Sequence, residues 1–490
     1  MKKILNYIDG QMVPPVSGHF LDNMDPSRGI VYSRVPDSDE RDVQNAFAAA
    51  QKAFPAWSAS SIEERSDKLM KMADLITEQL EELALAESID NGKPLKLAKN
   101  VDIPRAAKNF KFYGTAILHY GSTSYEMVEQ PAINYTLRRP MGVVGCISPW
   151  NLPLYLFSWK IAPALAAGNT VVAKPSEMTP MTAFLLSTLA TQAGLPPGVL
   201  NIVHGLGHKV GAPIAAHPGI KAISFTGGTK TGAEIARVSA PMFKKLSLEL
   251  GGKNPNIIFN DAPFESTLKT TLHSSFANQG QICLCGSRIF VQRGIYNKFK
   301  NAFIEGTNRL TVGPPSHPDT QIGAVVSHAH LQKIKSYIQL AKEEGGILLS
   351  GGEQVNLKGE YAGGYYIRPT IIEGLNFACR TNQEEIFGPV VTLTPFDTEE
   401  EVLHMANSVR YGLSSTVWTQ NLSRAHRMAA HLDSGIVWVN TWLLRDLRTP
   451  FGGIKDSGVG REGGFDALDF FTEPKNVCIK YNPEEDPLIH

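Results

Sequence analysis

Apolar positions recur at helical spacing near the start of the chain, and in alternation or short unbroken runs after it. Val43, Ala46, Phe47, Ala50 and Phe54 share one face of a helix expected over residues 38–54. Ser61-Ile62-Glu63-Glu64 has the form of a capping box and opens a second helix. Its core stripe is Leu69, Met72, Ala73, Ile76, Leu80 and Leu83, and Asn91-Gly92 ends it with a C-terminal glycine. A third helix is expected from near Asn100, with Pro104 in its first turn and Arg105 beside it. Over residues 125–137 the period falls to two, with Ile133, Tyr135 and Leu137 alternating with polar residues, which predicts a hairpin. Val477, Ile479 and Tyr481 alternate likewise, so the chain end can add a strand to this hairpin, in the same subunit or another.

After Pro140, β-rich runs at 142–147, 170–173, 199–203, 222–225 and 246–250 are separated by helical segments, the pattern of right-handed βαβ units on a parallel sheet. Thr179-Pro180 reads as an N-cap followed by an N1 proline, and Gly194 closes the same helix. Ligands of such sheets sit beyond the carboxyl ends of the strands. There the chain places Pro149-Trp150-Asn151, Lys174-Pro175-Ser176-Glu177, Phe225-Thr226-Gly227-Gly228 and Glu249-Leu250-Gly251-Gly252. A second α/β pattern follows residue 251, with strands at 256–259, 288–291, 364–371 and 390–395 and helices at 296–310 and 328–344.

The length of 490 residues calls for more than one domain. Lysine plus arginine balances aspartate plus glutamate at 47 each, and no like-charge block stands out, which disfavours nucleic acid or an anionic membrane as partner. Five cysteines, with Cys283 and Cys285 one residue apart, make no disulfide framework and fit a reducing compartment. The start, Met-Lys-Lys-Ile-Leu-Asn-Tyr-Ile-Asp-Gly, does not read as a signal peptide, and the apolar run 152–167 is broken by Pro153, Lys160 and Pro163. A soluble cytoplasmic protein is expected. No H-E-x-x-H or G-x-S-x-G occurs, so the thirteen histidines read as scattered surface residues, and neither a metal site nor a serine hydrolase is expected.

The candidate chemistry centres on Phe276-Ala277-Asn278-Gln279-Gly280-Gln281-Ile282-Cys283-Leu284-Cys285-Gly286-Ser287-Arg288. A thiol among small residues and amides is the composition of an activated cysteine nucleophile, while a buried core thiol is the plain alternative. Gly205-Leu206-Gly207-His208-Lys209-Val210-Gly211 follows a strand but is one residue too long for the dinucleotide fingerprint. Gly227-Gly228-Thr229-Lys230-Thr231-Gly232 suits phosphate at a helix N-terminus. Lys174 and Glu177 either hold ribose hydroxyls or form a solvated pair. Residues 438–448 set Arg445 and Arg448 in an aromatic, apolar loop where a charge needs a partner.

Taken together, the cysteine stretch, Leu248-Glu249-Leu250-Gly251-Gly252-Lys253, Ser148-Pro149-Trp150-Asn151, Lys174-Pro175-Ser176-Glu177, Phe225-Thr226-Gly227 and Glu384-Glu385-Ile386-Phe387-Gly388-Pro389 resemble the NAD(P)-dependent aldehyde dehydrogenase superfamily, in order along essentially the whole chain. Within it the chain is similar to the dehydrogenases of 2-aminomuconic and 2-hydroxymuconic semialdehydes, through Asp102-Ile103-Pro104-Arg105 and residues 442–449 and 458–464. The resemblance implies an α/β fold: a Rossmann-like NAD-binding domain (1–120 and 141–250), an α/β catalytic domain (251–465) and a small β oligomerisation unit (121–140 and 466–490) in a homodimer or homotetramer. It makes Cys283 the nucleophile, through a thiohemiacetal and a thioester, Asn151 with the Cys283 amide the oxyanion hole, and Glu249 the general base. By the same carry-over, Ile147, Trp150, Lys174, Glu177, Gly207, Gly211, Gly227, Glu385 and Phe387 hold NAD. Gly228 departs from the serine of many relatives, which puts in doubt a side-chain contact to phosphate. Arg105 and Arg445 are expected to clamp a substrate carboxylate, with ion pairs to Asp102 or Asp446 as the alternative. A dehydrogenase of apolar aldehydes such as retinal, a CoA-acylating relative and a non-catalytic structural relative are the other readings.

Overall fold

Five parallel strands form the centre of the first sheet, in the order Lys245–Glu249, Ile220–Thr226, Val143–Ile147, Thr170–Lys174 and Leu200–Ile202. The chain is seen in a computed structural model that describes residues 1–481; the part of the expected oligomerisation unit at 482–490 lies outside the described residues. Val143–Ile147 and Thr170–Lys174 are buried along their whole length, because helices cover both faces of a parallel sheet and every side chain then meets apolar atoms. The helix Pro153–Ala166, buried on almost every side, packs with Leu69, Met72 and Ile76 of Ile62–Glu78 and Phe110 of Ile103–Ala116 into one core. Two short N-terminal strands, Asn6–Ile8 and Gln11–Val13, extend the sheet antiparallel at one edge, and Gly458–Val459 does so at the other.

The second sheet runs Ile347–Ser350, Thr370–Glu373, Val390–Phe396, Arg288–Gln292, Pro255–Ile258, Ser414–Trp418 and Ile436–Val439, parallel except for the first strand. Ala132–Pro140 pairs antiparallel with Ser124–Met127 on one side and Thr472–Lys480 on the other, so the terminal strand joins the hairpin within this chain, with Val477 opposite Tyr135.

Several local expectations are corrected. The helix expected to run unbroken to Asn91 is two, Ile62–Glu78 and Leu80–Asn91, because Gln79 leaves helical geometry; Gly92 stops the second at φ 83°. Before Pro104 the chain makes a π-turn, Ala98–Asp102, since proline has no N–H to donate and its ring displaces the preceding carbonyl. Thr179 caps nothing: Pro180 is itself the N-cap of Met181–Gln192, and the Met181 amide donates to Asp90 Oδ2 at 2.7 Å. The Ser61 hydroxyl accepts from the Glu64 amide, but the reciprocal capping box belongs to Asp39 and Asp42, ahead of the first helix, Glu40–Ala59. The strand expected at 364–371 is split into Tyr366–Ile367 and Thr370–Glu373 around Pro369.

Candidate active site

Three of the expected site residues stand at carboxyl ends of parallel strands of the first sheet: Ile147 and Lys174 on neighbouring strands, and Glu249 on a strand one further along, past Ile220–Thr226. The turn after Val143–Ile147 carries Trp150 and Asn151 and leads into the helix that begins at Pro153. Its carbonyls are held by side chains. Asn91 Nδ2 donates to the Trp150 carbonyl at 3.0 Å, while Lys93 Nζ and Asn278 Nδ2 donate to that of Asn151 at 3.1 and 2.9 Å. Lys93 is wholly buried and also meets Asp102 at 2.6 Å and Glu87 at 3.3 Å. Burial lifts the Glu87 carboxyl to about 7 against the pull of Lys93.

Cys283 follows a turn in which Asn278, Gln279 and Gly280 all have left-handed backbone, at φ 50°, 59° and 70°. Side chains are rarely tolerated there, and the amides hold the turn in place. Gln279 Nε2 donates to the Ala324 carbonyl at 2.9 Å, and the Gln281 side chain spans the Asn278 carbonyl and the Val326 amide. A Cβ on Gly280 would collide with the Gly388 carbonyl. Asn254 Nδ2 donates to the carbonyls of both Cys283 and Cys285, and Asn151 Nδ2 donates to that of Gln281 at 2.9 Å. The amides of the cysteine stretch are thus structural braces. Cys283 itself is half-buried; burial first, then the nearby Glu385 and Glu249 carboxyls, push its thiol above the usual range. Cys285, buried beside it, is pushed up to about 12.

Two cavities meet at Cys283. One, of about 270 Å³, is lined by Trp150, Asn151, Gly227, Gly228, Cys283, His330, Glu385 and Phe387 among others. Trp150 and Phe387 face each other edge-on at 5.3 Å, and Phe387 is held at φ 63° with its carbonyl accepting from His330 Nε2 at 2.7 Å. His330 is therefore no scattered surface histidine; burial lowers it to about 4, so it is neutral and carries its proton on Nε2. Glu385 Oε1 accepts from the Gly252 amide at 2.9 Å, and a Cβ on Gly251 would strike its carboxyl. Ile147, Lys174 and Gly211 come together, a Cβ on Gly211 meeting Ile147 and Lys174 at 3.9 and 3.6 Å. Lys174 is buried and pairs with the half-exposed Glu177 at 2.9 Å, so the solvated-pair reading does not describe it. Gly207 is exposed at the start of a π-turn, Gly207–Gly211, instead of a fingerprint loop. Gly228 caps Thr229–Ser239 with no side-chain bond, leaving the first amides of that helix open to an anion. Carved glycine backbone, an uncapped helix start, a carboxylate over a strand end and aromatic walls fit a dinucleotide.

The other cavity, of about 260 Å³, is lined by Asp102, Tyr155, Glu249, Cys283, Trp442, Leu443, Arg445, Phe451 and Glu462 among others. Both oxygens of Glu249 are buried with no partner among the described residues, and burial together with Glu462 raises its carboxyl well above the ordinary range. The ion pairs weighed for the arginines go elsewhere: Asp102 to Lys93 and Asp446 to Arg448 at 2.6 Å. Arg445 lies 3.9 Å from the Phe451 ring centroid and donates to the Tyr155 hydroxyl at 3.0 Å. Arg105 is set behind the cavity wall, over Tyr155 at 5.2 Å. The two guanidiniums share the Trp159 ring, 5.0 Å from Arg105 and 4.8 Å from Arg445. Arg105 Nη2 is buried with no partner among the described residues.

Sequence reasoning missed a buried group beside Glu249. Lys160 Nζ donates to Glu462 Oε1 at 2.6 Å and to Ser224 Oγ at 3.2 Å. A lysine inside the apolar run 152–167 was the available signal, because a buried ammonium needs an anion.

A profile described as the aldehyde dehydrogenase family matches residues 13–477. The 2-aminomuconic semialdehyde dehydrogenase of Danio rerio is 53% identical over 97% of this chain and 98% of its own length. The 2-hydroxymuconic semialdehyde dehydrogenase of Pseudomonas sp. (strain CF600) is 45% identical over 98% of this chain and 100% of its own. An aldehyde dehydrogenase from Bacillus cereus, solved as an NAD+ complex, superposes with a TM-score of 0.95 at 39% identity, over 98% of this chain and 97% of that one. The chain belongs to the aldehyde dehydrogenase family.

Proposed function

We propose that this protein uses NAD to oxidise a muconic-type semialdehyde, 2-aminomuconic or 2-hydroxymuconic, to the acid. The observation that carries this reading is the place of Cys283, at the junction of a cavity suited to a dinucleotide and a second one holding Glu249 and Arg445. In this reading the Cys283 sulfur, once deprotonated, attacks the aldehyde carbon, and the Asn151 amide with the Cys283 N–H holds the developing oxyanion; each such donor is worth about 3 kcal/mol. NAD, when bound, supplies the hydride acceptor. Glu249, in its ionised form, then takes a proton from the water that hydrolyses the thioester left on Cys283. Trp150 and Phe387 wall the nicotinamide end, Glu385 faces its ribose, and Lys174 and Glu177, with Ile147 and Gly211 alongside, hold the adenine ribose. Gly227 and Gly207 make room for the phosphates.

Arg445 meets the substrate carboxylate, and Arg105, behind the cavity wall across the Tyr155 and Trp159 rings, adds its positive charge from a distance. Two guanidiniums with no carboxylate partner among the described residues, against aromatic rings, match an anionic substrate better than an apolar aldehyde such as retinal. We assign residues 1–120 with 141–250 to cofactor binding and 251–465 to catalysis. The sheet built on 121–140 and the chain end meets further copies of the chain in a cytoplasmic homodimer or homotetramer.

The test is NADH formation across a panel of aldehydes. The muconic semialdehydes should lead, and Arg445→Ala should lower their kcat/KM relative to a neutral aldehyde by the equivalent of about 2 to 4 kcal/mol. Preference for simple aliphatic aldehydes or retinal in the unaltered enzyme overturns the proposal. Glu177 should also favour NAD over NADP, because a 2′-phosphate would be pressed against its carboxylate; equal kcat/KM with both coenzymes would show that Glu177 does not occupy that place.

A further inference from the structure

Tyr155 is buried in the wall of the substrate-side cavity and has been given no role of its own above. It stands in the first turns of Pro153–Ala166, four residues after Asn151, so the same short segment carries both. Its ring packs edge-on to Trp159 at 6.5 Å and lies under the Arg105 guanidinium at 5.2 Å. Its hydroxyl oxygen accepts from Arg445 Nη1 at 3.0 Å. Guanidinium has no acceptor, so the direction of that bond is settled: Arg445 donates and Tyr155 receives. The tyrosine proton is thereby left over, and among the described residues no acceptor takes it. A phenol whose oxygen already receives a bond from a cation is a better donor for its own proton. The two guanidiniums against it, of Arg445 and Arg105, can only donate.

Resting on the carboxylate reading of Arg445, we propose that Tyr155 is a specificity residue that donates its hydroxyl proton directly to the substrate carboxylate. One carboxylate oxygen then takes the Arg445 N–H and its neighbour the Tyr155 O–H. An aldehyde without the acid group leaves the phenol proton unsatisfied in a buried wall, which penalises it. Recognition of the acid is thus divided between a charge, which any anion satisfies, and a hydroxyl, which requires an acceptor at one position.

The experiment compares kcat/KM for 2-hydroxymuconic semialdehyde with that for a neutral aldehyde of similar length, in four proteins: unaltered, Tyr155→Phe, Arg445→Gln and the double variant. Phenylalanine keeps the ring against Arg105 and Trp159 and removes only the hydroxyl. The acid-to-neutral ratio should fall about tenfold in Tyr155→Phe, the scale of one hydrogen bond to a charged group, and further in Arg445→Gln. In the Arg445→Gln background, removing the hydroxyl should still lower the ratio. If Arg445→Gln lowers the ratio and Tyr155→Phe leaves it unchanged, the Tyr155 assignment is wrong and the carboxylate reading stands. If the hydroxyl matters only while Arg445 is present, Tyr155 merely orients the arginine and direct donation is overturned. If neither variant moves the ratio, the carboxylate reading falls and this inference with it.

Discussion

Cys283 and Glu249 both bind their protons more tightly in the resting site than in water: Glu249 is buried and Cys283 half-buried, with carboxyl groups nearby that oppose a further negative charge. A thiol raised above its ordinary range is almost wholly neutral near pH 7, so its thiolate fraction grows with pH. Alkylation of Cys283 by iodoacetamide, counted against a Cys283→Ser background, should accelerate about tenfold per pH unit through the neutral range. A plateau already reached by pH 7 would mean that the thiol is activated without cofactor or substrate. Glu249→Gln cannot accept the proton from water, so hydride transfer should proceed once and then stall, with a burst near one NADH per active site and a steady state lower by about a hundredfold or more. An undiminished steady state moves the base elsewhere.

At the scale of elements, the site depends on short turns braced from outside themselves. The Asn151 turn is held by side chains from the end of Leu80–Asn91 and from the left-handed turn before Cys283. Lys93 is central to this arrangement, because its ammonium joins the Asn151 carbonyl to Glu87 and to Asp102 on the substrate side. Lys93→Met strands two carboxyls in the interior and should cost about 3 to 5 kcal/mol, read from the urea midpoint. Adding Asp102→Asn should recover part of that loss. A midpoint within error of the unaltered protein would show that the cluster contributes little. The loop carrying Arg445 is braced likewise: Trp438 Nε1 donates to the Leu444 carbonyl at 3.0 Å and Trp442 Nε1 to that of Leu284 at 2.9 Å, around a Leu443 at φ 59°.

For the whole molecule, the three-stranded sheet is the part with least core of its own. Tyr125, Met127, Val128, Ile479 and Tyr481 on or beside it are exposed in the single chain. Apolar groups in such a row are expected to be covered by another copy. Replacing Val128 and Tyr125 together by glutamate should weaken self-association, measured by sedimentation as a shift toward monomer. An unchanged sedimentation profile would mean that no copy of the chain is held by this face.

The alternation of β-rich runs and helices determined the parallel sheet, and with it the rule that put Trp150, Asn151, Lys174, Gly227 and Glu249 at strand ends. That much is local, since period, capping and glycine placement are properties of neighbouring residues. Only the tertiary structure decided which charges are paired. Asp102 is three residues from Arg105 in the chain yet belongs to Lys93, and Lys160 finds Glu462 from 302 residues away. It likewise decided that Thr179 leaves the capping of its helix to Asp90 and that His330 stands in a cavity wall. A buried polar group is satisfied by whatever the fold brings within about 3 Å, and separation along the chain carries no information about that.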